Sequence, residues 1–390
     1  MPTATTRLQL SEIAPTVIQS EIRAMSVECD RAGGINLAQG ICDTELPGSV
    51  AAGAIDAIRD GFNIYTRLDG IEPLRQAIAA KLEHYNHLAF DPDSEILVTN
   101  GATGALYASL LALLDPGDEV IVSEPFYGYH LSTLASIRIK PVIVPLTGAD
   151  WHFDLEATRR AVTSKTRAII VNTPSNPSGK VFGRAELEAI AALAIEHDLF
   201  VFTDEIYEYF LFDGTEHVSL ATLPGMEDRT ITISGLSKTF SITGWRIGYL
   251  AASSRWIPAI GYFHDLTYVC SPAPLQWGAA AGLQQLADTA FYTELRASYQ
   301  AKRDQLCQAL ANAGLTPHIP HGAYYVLADA ARIEGSTASQ RARTLLRATG
   351  IASVPGSAFF RPGYGDHLLR FCFGKKQVDL DRACERLQQL

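Results

Sequence analysis

The sequence predicts an α/β fold, a large domain with a mostly parallel central sheet flanked by helices, plus a smaller α+β domain built from the N-terminal segment and the C-terminal third. Three observations carry this. Short apolar runs alternate with longer helical patterns through the middle of the chain. Several of those runs are continuously apolar, as strands covered on both faces require. After Pro274 the texture changes to one long amphipathic helix followed by isolated strand-like runs. A chain of 390 residues exceeds what one core usually organises, and 47% apolar residues are enough to bury a sizeable interior.

The predicted strands of the sheet are Ile96–Thr99, Glu119–Val122, Pro141–Pro145, Ala168–Val171, Phe200–Thr203, Thr230–Ile233 and Gly248–Ala252. Helix patterns fall between them at Ala102–Leu114 and at Arg184–His197, the second opening after Gly183. This βα alternation implies a mostly parallel sheet with helices on both sides. Beyond it, the period predicts a helix over Tyr292–Ala313, stopped by Gly314, a residue suited to the left-handed cap. Ala323–Leu327 and Leu368–Phe373 read as strands and Asp379–Leu390 as a closing helix. The expected division is a large domain over 48–288 and a small one from 1–47 with 289–390. There is no internal repeat, low-complexity segment or flexible linker.

A net charge of −10 without a Lys/Arg-rich block argues against a nucleic-acid surface. The six cysteines are scattered, with no Cys-x-x-Cys pair and no His/Cys cluster of zinc-site spacing, so they read as free thiols and no metal is expected. Residues 1–25 lack a signal-peptide core, and no apolar run approaches membrane-spanning length. The expectation is a cytoplasmic protein without membrane or nucleic-acid partners.

Ligands of open α/β sheets bind beyond the carboxyl ends of the strands, so the residues following each strand matter most. Asn100-Gly-Ala-Thr-Gly-Ala105 enters a helix, and its glycines and Thr103 fit either a phosphate cradle or a plain strand-to-helix turn. Tyr127, in Ser123-Glu-Pro-Phe-Tyr-Gly-Tyr129, fits a ring-stacking or a surface-packing role. Asn172-Thr-Pro-Ser-Asn-Pro-Ser-Gly179 is dense in Pro and Gly, a rigid loop able to hold Asn176 in one orientation. Asp204 opens Asp204-Glu-Ile-Tyr207 and is costly to bury unless a cation pairs with it or it caps the next turn. The most specific run is Ser234-Gly-Leu-Ser-Lys-Thr-Phe-Ser-Ile-Thr-Gly-Trp-Arg246, where Lys238 can bond an aldehyde and Arg246 can hold a phosphate. Together these two point to pyridoxal phosphate. Arg370 sits inside an apolar strand pattern and needs an anion, either a ligand carboxylate or a structural Asp or Glu.

This ordered set, each member at a strand end, resembles the class I aminotransferases among fold-type I pyridoxal phosphate enzymes, most of all the aspartate, methionine and kynurenine aminotransferases. The resemblance runs from Ile35-Asn-Leu-Ala-Gln-Gly40 to Arg370. It implies a ping-pong transfer of the amino group of an α-amino acid to a 2-oxo acid through a Lys238 aldimine of pyridoxal 5'-phosphate. Lys238, Asp204 and Tyr207 are the implied catalytic residues, with Asp204 on the pyridine nitrogen and Lys238 shuttling the proton. Ala102, Thr103, Ser237 and Arg246 would hold the phosphate. Tyr127 would stack on the ring, and Asn176 and Tyr207 would bond its phenolic oxygen. Arg370, with Asn176 and the backbone of Gly40, would bind the substrate carboxylate. Asn63-Ile-Tyr-Thr66, followed by Gly70 and Leu74-Arg75, matches a dimer-interface segment, so the resemblance implies a homodimer in which Tyr65 reaches the phosphate of the neighbouring subunit.

Two departures stand out. Gly40-Ile-Cys-Asp-Thr-Glu-Leu-Pro47 replaces the relatives' frequent Gly-x-Pro-Asp-Phe, and Gly235 stands where many carry a phosphate-binding serine. Residues 264–275 lack the second arginine that some relatives supply for dicarboxylic substrates. With Tyr262, Phe263, Tyr268 and Trp277 nearby, the expectation is a neutral or aromatic amino acid. A lyase or cyclising synthase using the same cofactor is the alternative reaction, separated by its product. A non-catalytic sensor fused to a DNA-binding module is disfavoured, because no helix-turn-helix domain fits before residue 35. A nucleotide-binding enzyme is disfavoured too, because Gly-x-Gly-x-x-Gly is missing after the first strand.

Overall fold

The computed structural model describes residues 8–17 and 20–390; the remaining N-terminal positions of the expected small domain lie outside the described residues. The strands are β1 (Ile35–Asn36), β2 (Ile96–Asn100), β3 (Glu119–Glu124), β4 (Lys140–Pro145), β5 (Thr166–Asn172), β6 (Phe200–Asp204), β7 (Thr230–Gly235), β8 (Ile247–Ala251), β9 (Thr316–His318), β10 (Tyr325–Asp329), β11 (Ile351–Ala352), β12 (Val354–Pro355) and β13 (Leu368–Cys372). The α-helices are α1 (Glu21–Arg31), α2 (Gly48–Arg59), α3 (Glu72–Lys81), α4 (Gly101–Leu113), α5 (Gly128–Ser136), α6 (Leu155–Ala161), α7 (Arg184–Glu196), α8 (Ile257–Tyr268), α9 (Ala273–Leu286), α10 (Phe291–Asn312), α11 (Ala338–Thr349) and α12 (Gln377–Leu387).

The central sheet has seven strands in the order β2-β8-β7-β6-β5-β3-β4. The neighbours β7-β6-β5-β3-β4 pair in parallel, and β8 runs antiparallel to both β2 and β7. The continuous apolar runs are explained by cover on both faces. Ile231, Ile233, Phe202 and Ile170 pack into one helix layer, whereas Val201, Ile169 and Val171 pack into the other. Registers Asn172↔Asp204 and Asp204↔Ile233 bring the ends of β5, β6 and β7 abreast, and the loops after β2 and β3 open on the same edge.

A second core forms around the four-stranded sheet β12-β13-β10-β9. The N-terminal segment belongs to it. β1 pairs in parallel with β11, and Cys372 N–H donates to Leu37 O at 2.8 Å. Cys29, Leu37 and Ala38 are buried with Leu345, Ile351 and Phe371. This carries Gly40 to the cleft facing the sheet edge. The long helix α10 stops where the sequence predicts, with Gly314 at φ +78°. Among the described residues no helix is long and apolar enough to cross a membrane, and all six cysteines are free thiols.

Candidate active site

One cavity of about 460 Å³ lies between the carboxyl edge of the large sheet and the second core. Its walls include Gly40, Ala102, Thr103, Tyr127, Asn176, Asp204, Tyr207, Ser237, Lys238, Arg246 and Arg370, so the strand-end residues singled out in the sequence converge on one space. Tyr65 does not join them; its ring is 80% exposed on the surface of the chain.

At the end of β2 the backbone turns sharply into α4. Gly101 has φ +71°, and a side chain there would strike the guanidinium of Arg246. Gly248, across the ladder, admits no Cβ either, since it would lie 2.6 Å from Ala102 N. No side chain caps α4, which leaves its first-turn N–H groups available. Arg246 donates to Thr243 O at 3.1 Å, and no carboxylate pairs with it among the described residues. Uncapped N–H groups, the hydroxyls of Thr103 and Ser237 and an unpaired guanidinium suit a phosphate dianion. Gly235 is packed 3.0–3.2 Å from Gly248, Ile206 and Ile247, measured from a Cβ built on it, so a serine there would displace the β7–β8 contact. The turn is braced from behind by His264, whose Nε2 accepts the Asn100 N–H at 3.0 Å. Burial pulls the His264 pKa down to about 4, keeping the ring neutral and able to accept.

In the middle of the cavity, Asp204 faces His130, with Oδ2 and Nε2 3.1 Å apart, while its other oxygen lies 3.4 Å from Ile206 N–H. It thus caps the following turn weakly and keeps a carboxylate turned into the site with no Lys or Arg partner. That suits a cationic ring nitrogen. Asn172 Nδ2 donates to Asp204 O at 3.0 Å and its Oδ1 accepts from Asn176 N–H at 2.8 Å, tying two loops together. Tyr207 and Tyr325 share a 2.9 Å hydroxyl contact, and burial pushes the Tyr207 phenol well above its ordinary value. Lys238 Nζ donates to Gly40 O at 3.2 Å. Burial lowers the pKa of this amine, with Arg246 adding to the shift and Cys42, Cys372 and Asp204 opposing it, which eases loss of its proton.

Arg370 is 1% exposed on β13, sandwiched between the rings of Tyr325 and Phe359 with its central carbon 4.3 and 4.9 Å from their centroids. It donates to Asn176 Oδ1 at 2.8 Å and to Ala38 O, and its Nε has no partner. No carboxylate neutralises it among the described residues. A buried cation without a counter-ion is held at a cost, and an anionic ligand is what offsets it.

The aromatic residues of the substrate-pocket expectation lie away from the cavity of their own chain. Tyr262, Phe263, Tyr268 and Trp277 do not line the cavity. Helix α8 turns Ile257, Ile260, Gly261 and His264 inward, which leaves Tyr262 64% and Tyr268 41% exposed. Phe263 packs beside the sheet core, and Trp277 meets Phe62 in a tilted contact with ring centroids 4.6 Å apart. Cys42 is buried against Tyr299 and Tyr324 and does not line the cavity, and burial raises its thiol pKa. Sequence reasoning missed His130, Tyr325 and His264. His130 had a signal, lying one helical turn after Tyr127. Tyr325 and His264 had none, because their partners come from distant segments.

Behind Asp204, Lys81 pairs with Glu208, both buried, while Glu205 accepts from Ser219 at 2.6 Å and contacts His217 at 2.8 Å. Ser234 on β7 donates to Glu208 at 2.8 Å, so this network ties β7 to the segment that follows β6.

Comparison with known proteins agrees with this geometry. Residues 32–387 match the family model of class I and II aminotransferases. A probable N-succinyldiaminopimelate aminotransferase of Mycobacterium tuberculosis is 37% identical over 98% of both chains. The aspartate aminotransferase of Pyrococcus abyssi is 34% identical, also over 98% of both. The solved N-succinyldiaminopimelate aminotransferase of Mycobacterium tuberculosis superposes with a TM-score of 0.94, covering 97% of this chain and 99% of that one, at 37% identity. With the match spanning nearly every element that builds the cleft, the chain belongs to the class I and II aminotransferases and is a transaminase.

Proposed function

We propose that this transaminase works with pyridoxal 5'-phosphate anchored on Lys238, moving the amino group of an α-amino acid to a 2-oxo acid. The observation that carries the reading is that Lys238 and Arg370 face one cavity, an amine of lowered basicity and a buried guanidinium, neither paired with a carboxylate. When bound, the cofactor supplies an aldehyde that condenses with amines and a ring that draws electrons from the substrate Cα.

The chain's own residues do the rest. The first-turn N–H groups of Ala102 and Thr103, with Ser237 and Arg246, bind the phosphate. Asp204, steadied by His130, holds a proton on the ring nitrogen. Asn176 spends its Oδ1 on Arg370, which leaves its Nδ2 to donate to the ring oxygen beside Tyr207. Tyr127 lies against the ring face. Arg370 grips the α-carboxylate, and Lys238 takes the proton from Cα, a task suited to an amine whose pKa burial has lowered.

A homodimer completes the reading. Tyr65 stands with Ile64, Phe62, Tyr262 and Leu266 among the exposed large apolar residues. Gln276 pins this strip by bonding Thr66 Oγ1 at 3.2 Å and Ile71 N–H at 2.9 Å. Exposed apolar side chains of this size suit a protein contact, through which Tyr65 reaches the partner's phosphate. We also read residues 1–47 with 289–390 as a small domain beside a large one over 48–288, and the free thiols as favouring the cytoplasm.

The test supplies single amino acids with 2-oxoglutarate to protein loaded with pyridoxal phosphate. Matched formation of glutamate and a new 2-oxo acid, lost in Lys238→Ala, supports the reading. Release of ammonia in place of glutamate, or full activity in Lys238→Ala, refutes it.

A further inference from the structure

A fourth basic side chain, besides Lys238, Arg246 and Arg370, lines the cavity and takes no part in the chemistry above. Arg23 lies in the first turn of α1 and reaches the same space as Lys238 and Arg370. It is exposed, and among the described residues no carboxylate, carbonyl or ring engages its guanidinium. Of the three acids of its own helix, Asp30 lies two turns further on and the other two are committed elsewhere. Glu21 accepts from Ser339 Oγ at 3.0 Å and Ser357 Oγ at 3.4 Å, and Glu28 pairs with Arg343 at 2.9 Å.

The position is not one that helix stability selects. A cation in the first turn opposes the positive end of the helix dipole. The turn is nonetheless held firmly. Ser20 Oγ accepts the Ile22 N–H at 3.2 Å, and Ile22 packs on the C-terminal core, so the backbone under Arg23 is fixed beside the cavity. Gln39, Ile41, Tyr129 and Thr133, which line the same cavity, are uncharged. The cavity's one carboxylate, Asp204, faces His130.

We infer that Arg23 is a specificity residue that receives the side-chain carboxylate of a dicarboxylic amino acid and of the matching dicarboxylic oxo acid. This rests on the reading of Arg370 as the clamp for the α-carboxylate, which leaves Arg23 for a second anion. The arginine missing from residues 264–275 is thereby supplied from the other end of the chain, and the aromatic residues expected to favour neutral substrates lie outside the cavity of their own chain.

The test pairs ligands that differ by one carboxylate. Isothermal titration calorimetry on the protein loaded with pyridoxal phosphate compares glutarate with butyrate, and kinetics compare glutamate with glutamine. The wild type is expected to bind glutarate about 10- to 100-fold more tightly than butyrate, as a charge-assisted pair implies. Arg23→Gln should erase that gap and lower kcat/KM for glutamate by a similar factor, with glutamine changing less than about threefold and Arg23→Lys recovering part of the loss. Equal binding of the two acids by the wild type, or an equal effect of Arg23→Gln on both members of each pair, overturns the inference. The calorimetric arm needs no turnover. A protein that binds glutarate through Arg23 yet transfers no amino group from any donor would refute the transaminase mechanism and leave Arg23 standing.

Discussion

Replacing Arg370 by methionine separates binding from folding more cleanly than any other change in this cleft. Methionine keeps much of the volume between Tyr325 and Phe359 and removes the charge. Two opposed effects then act on the unliganded protein. A buried cation without a counter-ion disappears, which relieves a desolvation cost of several kcal/mol. Against that, Asn176 Oδ1 and Ala38 O lose their donor, at about 1–3 kcal/mol each. These nearly cancel, so the melting temperature should move by only a few degrees. Catalysis has no such compensation. Two hydrogen bonds to the substrate carboxylate at about 1.5–3 kcal/mol each correspond to roughly 10²- to 10⁴-fold in kcat/KM. The loss should be common to every amino acid, because it concerns the group they share. It should be nearly absent for the corresponding amines that lack a carboxylate. The assay is steady-state kinetics over a donor panel, with thermal unfolding measured in parallel. A loss confined to one donor, or an equal loss for amines, would refute the assignment of Arg370 as the α-carboxylate clamp.

Further outcomes follow from the network behind the site and from its acid response. Lys81→Met leaves Glu208 buried without its cation and should destabilise the protein by about 3–5 kcal/mol, read from urea unfolding. His264, with a folded pKa of about 4 against an ordinary 6.5, binds protons more readily when unfolded. Its contribution is therefore intact above pH 6.5 and is lost as pH falls towards 4, by about 3 kcal/mol in all. His264→Gln keeps an acceptor for the Asn100 N–H without titrating, so the stability difference between wild type and variant should slope through that window. A flat difference would show that His264 does not titrate on unfolding.

What the sequence made legible, and what it hid, follows from where each signal is stored. The strands that position the site are covered on both faces, so their apolar runs stand out locally, and the chemistry sits just after them. Asn176, Asp204 and Lys238, which line the cavity, could be singled out for that reason. The sharp turn after β2 was visible as glycines, yet the need for them came only with the approach of Gly248 to Ala102 and of Arg246 to Gly101. Partners brought in from afar left no local trace. Tyr325 meets Tyr207 across more than a hundred residues, and His264 meets Asn100 across a comparable span. The aromatic residues around 262–277 misled because composition does not say which face of a helix turns inward, and α8 turns its small and aliphatic face to the sheet. Arg23 escaped notice because a single arginine in an N-terminal helix is unremarkable until the cavity beside it is seen.

The most direct test of the central claim is a half-reaction followed in visible light. Protein loaded with pyridoxal phosphate is mixed with one amino acid and no oxo acid, and absorbance and released 2-oxo acid are measured together. The expected result is loss of the band of the lysine-bound cofactor, growth of the shorter-wavelength band of its aminated form, and one 2-oxo acid per site, all missing in Lys238→Ala. A protein that takes up no pyridoxal phosphate at Lys238, or one that yields ammonia while its band persists, would contradict it.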